Sequence, residues 1–302
     1  MEKRVSISVR HLQNRYGDEQ AIRIAKLIGA DAIDFTTYTD AFDCRNPASI
    51  YSKSEDEFVS YFSHLKKEAD QLGIEFAQTH ARMQDYGING AENEAYVQNA
   101  RLDCLAAKLL GAPVCVVHSV STLQLGKDAP PQRMHQLNFD MFMKILPFAK
   151  KYGVKLATET FGAAPGMGCC DFFGNIGEFV AAYESLCAAF DSGKYLTACV
   201  DTGHCNHAAG YGNPSPAEVI RILGKNVGVL HLNDNDGRSD QHRLPGMGNI
   251  PWSDVFDALD EIGYNGFYNM ELHLNCFGDN FLIETAEFAV KLMKRMLADR
   301  YG

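Results

Sequence analysis

Strand-like and helix-like segments alternate eight times along these 302 residues, and few folds accommodate that rhythm. Short β-branched or aromatic runs read as strands at 5–9, 32–37, 75–80, 113–119, 155–161, 196–202, 227–233 and 266–272. Helical spacing fills the gaps. Over 54–72, Phe58, Tyr61, Phe62, Leu65, Ala69 and Leu72 recur at three- and four-residue steps. Ser54 and Glu57 form a capping-box pattern ahead of it, and Gly73 is a natural terminator. A last helix is expected over about 280–298, with Leu282, Ala286, Ala289, Met293, Met296 and Leu297 on one face. The helix-to-strand links are short and glycine-containing. The pattern predicts an α/β protein, a single (β/α)8 TIM barrel spanning 1–302. A doubly wound open sheet is the structural alternative.

Loop lengths add to this. The long connections, at about 38–53, 161–175, 203–214 and 234–250, all follow strands. In a barrel, all of them lie on the mouth formed by the C-terminal strand ends, where sites are built. At 46% hydrophobic and 22% charged, the chain has enough apolar mass for a sizeable core. A formal net charge of −10 disfavours nucleic acid as a partner, because phosphate binding needs lysine and arginine to release counterions. The basic pairs Lys66–Lys67 and Lys294–Arg295 fall on helices away from the mouth. Nine cysteines are scattered without CxxC spacing, which argues against a zinc knuckle. No apolar run approaches a membrane span, and no signal peptide is read at the start. The expectation is a cytoplasmic protein with no membrane partner; self-association into a homo-oligomer is left open.

Four polar residues end four of these strands: Glu159 in LATETF, Asp201 in ACVDTGH, His231 in VGVLHLND and Glu271 in YNMELH. Convergence at a barrel mouth would bring them within reach of one ion. Three carboxylates and an imidazole suit one divalent metal ion: Mn, Mg, Co or Zn. Strand alternation places Ala157, Cys199, Val229 and Asn269 one step below them on the same inward rows. Polar residues are common at strand ends, so any one alone carries little; the set of four carries the argument.

Further candidates surround them. His80 and His118 end the third and fourth strands. His204 follows Asp201 by three residues, and His242, Asp240, Arg238 and Arg243 lie in the Gly- and Pro-containing loop beyond the seventh strand. His273 shares a face with Glu271. Tyr38, Phe42, Phe161 and Phe277 are aromatic candidates for a pocket wall, while His207, Cys205, Cys276 and Trp252 read as structural. No glycine-rich phosphate cradle stands out after the last two strands.

With these motifs in view, the chain resembles the xylose-isomerase-like barrel superfamily, in its sugar isomerase/epimerase branch. The resemblance rests on TETFG (158–162), DTGH (201–204), HLNDNDG (231–237), DQHRLPGMGNIPW (240–252) and NMELH (269–273). QTHAR (78–82) and VVHS (116–119) match more loosely. It implies that Glu159, Asp201, His231 and Glu271 hold one divalent metal, and that Glu159 and Glu271 are the catalytic acid/base pair. It further implies that His204 contacts a substrate oxygen. His242, Arg238 or Arg243 would hold another substrate group, with His80 and His118 as further substrate contacts, supporting residues behind the ligands, or additional metal ligands. The implied substrate is a small sugar or polyol, and the implied reaction is proton transfer beside a ketose carbonyl through a cis-enediolate.

Two related chemistries share the fold. An inosose-dehydratase-like lyase would use the same acidified carbon and then expel a β-hydroxyl. Endonuclease IV, a trinuclear zinc DNA-repair nuclease, resembles this chain at His80, His118, Glu159, Asp201, His204, His231, Asp240, His242 and Glu271. The acidic net charge and the lack of basic loop clusters weigh against the nuclease.

Overall fold

Each expected strand forms, usually one or two residues shorter than its apolar run. The computed structural model describes residues 3–82, 86–87 and 89–302. Its barrel strands are β1 (Val5–Ser8), β2 (Ala32–Thr36), β3 (Glu75–His80), β4 (Val114–His118), β5 (Lys155–Glu159), β8 (Leu196–Asp201), β9 (Val227–His231) and β10 (Tyr268–Met270). Between β5 and β8 a short antiparallel hairpin pairs β6 (Ala163–Ala164) with β7 (Cys169–Cys170). All eight barrel strands are parallel, in the order β10-β1-β2-β3-β4-β5-β8-β9. A bridge between Leu232 and Met270 joins the two ends of the sheet, with Leu232 N donating to Asn269 O at 2.8 Å. This is a TIM barrel, and the open-sheet alternative is excluded.

Local chemistry explains the helices that wrap it. The Ser54 hydroxyl accepts from Glu57 N, Glu57 returns the bond to Ser54 N, and Gly73 closes the helix Glu55–Leu72 at φ +65°. Such a cap contributes about 1 kcal/mol. Phe58, Phe62 and Leu65 on its buried face meet Phe35, Phe42 and Tyr51 in a tilted and edge-to-face aromatic cluster. Phe42 is spent in this packing, 2% exposed, and lines neither cavity at the barrel mouth. The last helix runs Leu282–Tyr301.

The connection at 203–214 is not a simple loop. A helix, Thr202–Ala209, starts directly at the end of β8 because Asp201 caps it, its Oδ1 accepting from His204 N at 2.6 Å. Gly203 makes this start fit: a Cβ there would lie 1.9 Å from Asn233 Oδ1. A side chain at 203 would push the helix off β9.

The barrel interior has two unlike halves. Val114, Val116, Ala157, Cys199 and Val229 form a small apolar cluster inside β4, β5, β8 and β9. Inside β1, β2, β3 and β10 the equivalent space holds Ser6, Asp34, Gln78 and Asn269, all buried and hydrogen-bonded to one another. Ser6 Oγ donates to Asn269 Oδ1 (2.8 Å), while Asn269 Nδ2 (2.9 Å) and Gln78 Nε2 (3.1 Å) donate to Asp34 Oδ2.

Candidate active site

Strand register assembles the site. His118 pairs with Glu159 across β4 and β5, and Asp201 pairs with His231 across β8 and β9. Each is the last residue of its strand, so the side chains leave the barrel wall together at the mouth. His231 Nδ1 lies 2.9 Å from Glu159 Oε1 and 3.2 Å from Glu271 Oε2. His80 Nε2 lies 3.3 Å from Glu159 Oε2 and 3.9 Å from Glu271 Oε1. Ligand atoms of His80, Glu159, His231 and Glu271 all fall within 4.8 Å of one another, a spacing one ion can bridge.

Asp201 stands beside this group. It shares a second such constellation with His204 and His242, whose donor atoms also lie within 4.8 Å of each other. Its Oδ1 is taken by His204 N and its Oδ2 by Asn233 Nδ2, at 2.6 and 2.7 Å. Asp240 bridges the two imidazoles, 3.5 Å from His204 Nε2 and 3.2 Å from His242 Nε2. His242 is held in place by its backbone: φ is +42°, rare for a residue with a Cβ, and its Nδ1 donates to Glu271 O at 3.0 Å. His118 Nε2 approaches Glu159 Oε2 at 2.9 Å and His80 Nε2 at 3.3 Å. Arg238, expected from sequence as a substrate contact, stands at the outer rim, where its backbone N–H donates to Asp236 Oδ1 at 3.0 Å.

Electrostatics follows from burial and crowding. Burial pushes the Glu159 carboxyl up, but His231 and His118 outweigh it and hold the group well below the usual carboxylate range. Glu271 is likewise lowered despite burial, by His231, His80 and His242. Asp201 goes the other way. Burial raises it, and Glu159 and Glu271 add to the rise against the pull of His204 and His242. Burial depresses His242, yet its hydrogen bond and charge pairing with Asp240 lift it to about 9. The donor set fits a divalent cation. It is rich in carboxylate and imidazole, and Glu159 Oε2 is buried without a hydrogen-bond partner.

Two chambers meet at this cluster. The inner one, about 150 Å³, is lined by Glu159, Glu271, His80, His118, His204, Asp240 and His242, with Ser8, Arg10, His11, Tyr38, Leu272 and His273 completing it. The outer one, about 510 Å³, shares His118, His204 and Asp240 and extends over Phe161, Leu123, Tyr211 and the β6–β7 hairpin. Phe161 stands at the junction, edge-on to His118 and stacked on His204. Tyr38 and Phe161 therefore do wall the cavities, while Phe277 is 61% exposed and in neither. His207, read as structural, also faces the outer chamber.

Sequence reading missed Ser8, the last residue of the first strand, and Arg10 and His11 just beyond it, and Asp34 with Gln78 below the mouth. Position at the end of β1 was the available signal for Arg10. Asp34 lies mid-strand, where only alternation could have turned it inward. Trp252, expected to pack, also donates through Nε1 to Asp234 Oδ2 at 2.9 Å and so fastens the loop that carries His242.

Comparison with known proteins places this architecture. An uncharacterized protein of Methanocaldococcus jannaschii is 28% identical over 222 residues, 70% of this chain and 68% of that protein. A D-psicose 3-epimerase of Ruminiclostridium cellulolyticum is 36% identical, but over 72 residues only, 24% of this chain and 22% of its own length. Among solved structures, a D-tagatose 3-epimerase-like protein superposes with a TM-score of 0.72 at 21% identity, covering 99% of this chain and 100% of the other. At that identity the likeness concerns the fold. The family model described as xylose isomerase-like TIM barrel matches residues 22–295, and the chain belongs to that family.

Proposed function

We propose that the protein is a divalent-metal-dependent sugar isomerase or epimerase that moves a proton at the carbon beside a ketose carbonyl. One observation carries this reading: two carboxylates, buried Glu159 and partly buried Glu271, converge on Nδ1 of a single imidazole at 2.9 and 3.2 Å, beside a sugar-sized chamber. Glu159, His231 and Glu271 would hold the cation, with Asp201 or His80 completing the set. When bound, a divalent ion supplies Lewis acidity that makes the C–H beside the carbonyl easier to ionise.

The protein groups do the rest. Glu159 and Glu271 reach the chamber from different strands, β5 and the end of β10, so they face a bound sugar from two sides. One carboxylate takes the proton from the carbon and the other returns one to the opposite face, which inverts the centre. The imidazoles of His204 and His242, both lining the chamber, orient substrate oxygens. His118 and Phe161 narrow the opening and help exclude water from the carbanionic carbon. The partial match to a D-psicose 3-epimerase and the fold shared with a D-tagatose 3-epimerase-like protein support a small ketose or polyol as substrate.

Incubating a panel of ketoses in D₂O tests the reading. Deuterium at C3 indicates epimerisation, and deuterium at C1 or C2 indicates aldose–ketose exchange. Loss of water to a diketone would reassign the protein as an inosose-dehydratase-like lyase. No exchange with any ketose would reject proton transfer altogether.

A second reading has one observation in its favour. The nine side chains shared with endonuclease IV gather around this one mouth, and Asp201, His204 and His242 form a second ligand-spaced group. The net charge of −10 opposes DNA as substrate. Elemental analysis separates the two: about one equivalent of metal supports the isomerase, and three zinc ions with abasic-site cleavage support the nuclease.

A further inference from the structure

The wall of the inner chamber also carries a cation that forms no ion pair among the described residues. Arg10 follows β1 directly and lines the same cavity as Glu159 and Glu271. Its guanidinium carbon lies 4.4 Å from the centroid of the Tyr38 ring, a cation–π contact that holds the group at the chamber wall. Its Nε is buried without a hydrogen-bond partner, and no carboxylate among the described residues lies within ion-pair distance of it. Most other arginines here are paired: Arg4 with Glu75, Arg23 with Glu19 and Glu68, Arg221 with Glu261, Arg300 with Asp257 and Asp260. A half-buried guanidinium left unpaired in a closed chamber pays for its desolvation only when something else binds it.

The surroundings narrow what that is. His11 and His273 stand beside Arg10 with their rings edge to face, centroids 5.9 Å apart. Burial, then the charge of Arg10, hold His11 down at about 4, so it is neutral at pH 7 and offers one N–H rather than a second charge. No lysine lines the chamber. One planar fork with a neutral donor at His11 beside it matches a planar singly charged oxyanion.

We infer that Arg10, with His11 and His273, forms a subsite for a substrate carboxylate, making the substrate a sugar acid rather than a neutral sugar. This rests on the sugar-binding reading of the chamber and sharpens it.

Calorimetric titration of the metal-loaded protein with glucuronate and glucose, with the mixtures checked by NMR for conversion, tests the subsite apart from turnover. Glucuronate is expected to bind about ten- to a hundredfold more tightly, the ratio set by one charge-assisted contact. Arg10→Met should erase that preference, and Arg10→Lys should restore part of it, because a point charge replaces the fork. Circular dichroism and metal content of both variants check that fold and ion are intact. Equal binding of the two sugars, or an unchanged preference in Arg10→Met, overturns the assignment. Tighter binding of glucose 6-phosphate than of glucuronate overturns the carboxylate. If glucuronate is preferred but no ketose or keto-uronate exchanges deuterium, the subsite stands and the proton-transfer reading falls.

Discussion

The two halves of the barrel lumen solve the same packing problem with opposite chemistry. Inside β4, β5, β8 and β9 the layer below the mouth is Val116, Ala157, Cys199 and Val229, small and apolar. Inside β1, β2, β3 and β10 it is a hydrogen-bonded set of Ser6, Asp34, Gln78 and Asn269. His231 touches both regimes. Its Nδ1 faces Glu159 and Glu271, while its Nε2 faces Gln78 Nε2 at 2.9 Å and Asp34 Oδ2 at 3.4 Å. The apolar half fills space and lowers the local dielectric. The polar half holds the back of an imidazole whose front has to stay aimed at the carboxylates, as outer carboxylates do for ligating histidines. A buried polar network costs more than apolar packing unless fully satisfied, and Asp34 Oδ1 has no partner. Its retention is explained by orientation rather than by stability.

Four experiments can break or sharpen this contrast. The largest effect is expected at the mouth itself, where the halves meet. Glu159→Gln should lower deuterium exchange by about 10³-fold, the usual scale of a lost general base, with loss of bound metal by elemental analysis. Full metal occupancy in both Glu159→Gln and Asp201→Asn would reject the ligand assignment. Next comes the polar half. Asp34→Asn should weaken metal affinity about 10- to 100-fold by competition with a chelator, while Val116→Ala in the apolar half leaves affinity unchanged. Equal affinities in the two variants would make the halves equivalent.

The apolar half should respond in stability instead. Ala157→Leu overfills the layer and is expected to cost about 1–3 kcal/mol in urea unfolding. A neutral result would mean the lumen has room the packing does not suggest. The smallest effect lies behind the polar half, at Asp103, which accepts from Thr37 Oγ1 and the Tyr51 hydroxyl at 2.7 Å each. Burial outweighs those bonds and raises its carboxyl from 3.8 to about 7. The folded protein therefore binds more protons than the unfolded chain between those values, so stability falls as pH rises through that window and levels off above it. Asp103→Asn should flatten this slope by about 1 kcal/mol per pH unit, read by denaturant titration at several pH values. An identical slope in the variant would show that Asp103 is ionised throughout.

Much of this was legible in order along the chain. The period-two and period-3.6 patterns located every barrel strand, and strand-end position singled out Glu159, Asp201, His231 and Glu271. His80 and His118 were also visible at strand ends, but nothing in their spacing ranked them. Register did that, by setting His118 opposite Glu159 and bringing His80 Nε2 to 3.3 Å from the same carboxylate. Asp201 shows the reverse. As a strand-end acid it read like the other three, yet the helix starting at Thr202 engages its Oδ1 as a cap and groups it with His204 and His242.

Local sequence determined the alternation of strands and helices, the caps that end them, and the side chains presented at the mouth, because these depend on residues a few positions apart. Only the closed barrel decided which donors share an ion's reach, which half of the lumen is polar, and that Arg10 lines the same cavity as the glutamates. Those are distances between strands far apart in the chain, and they are set by register and closure rather than by any local preference.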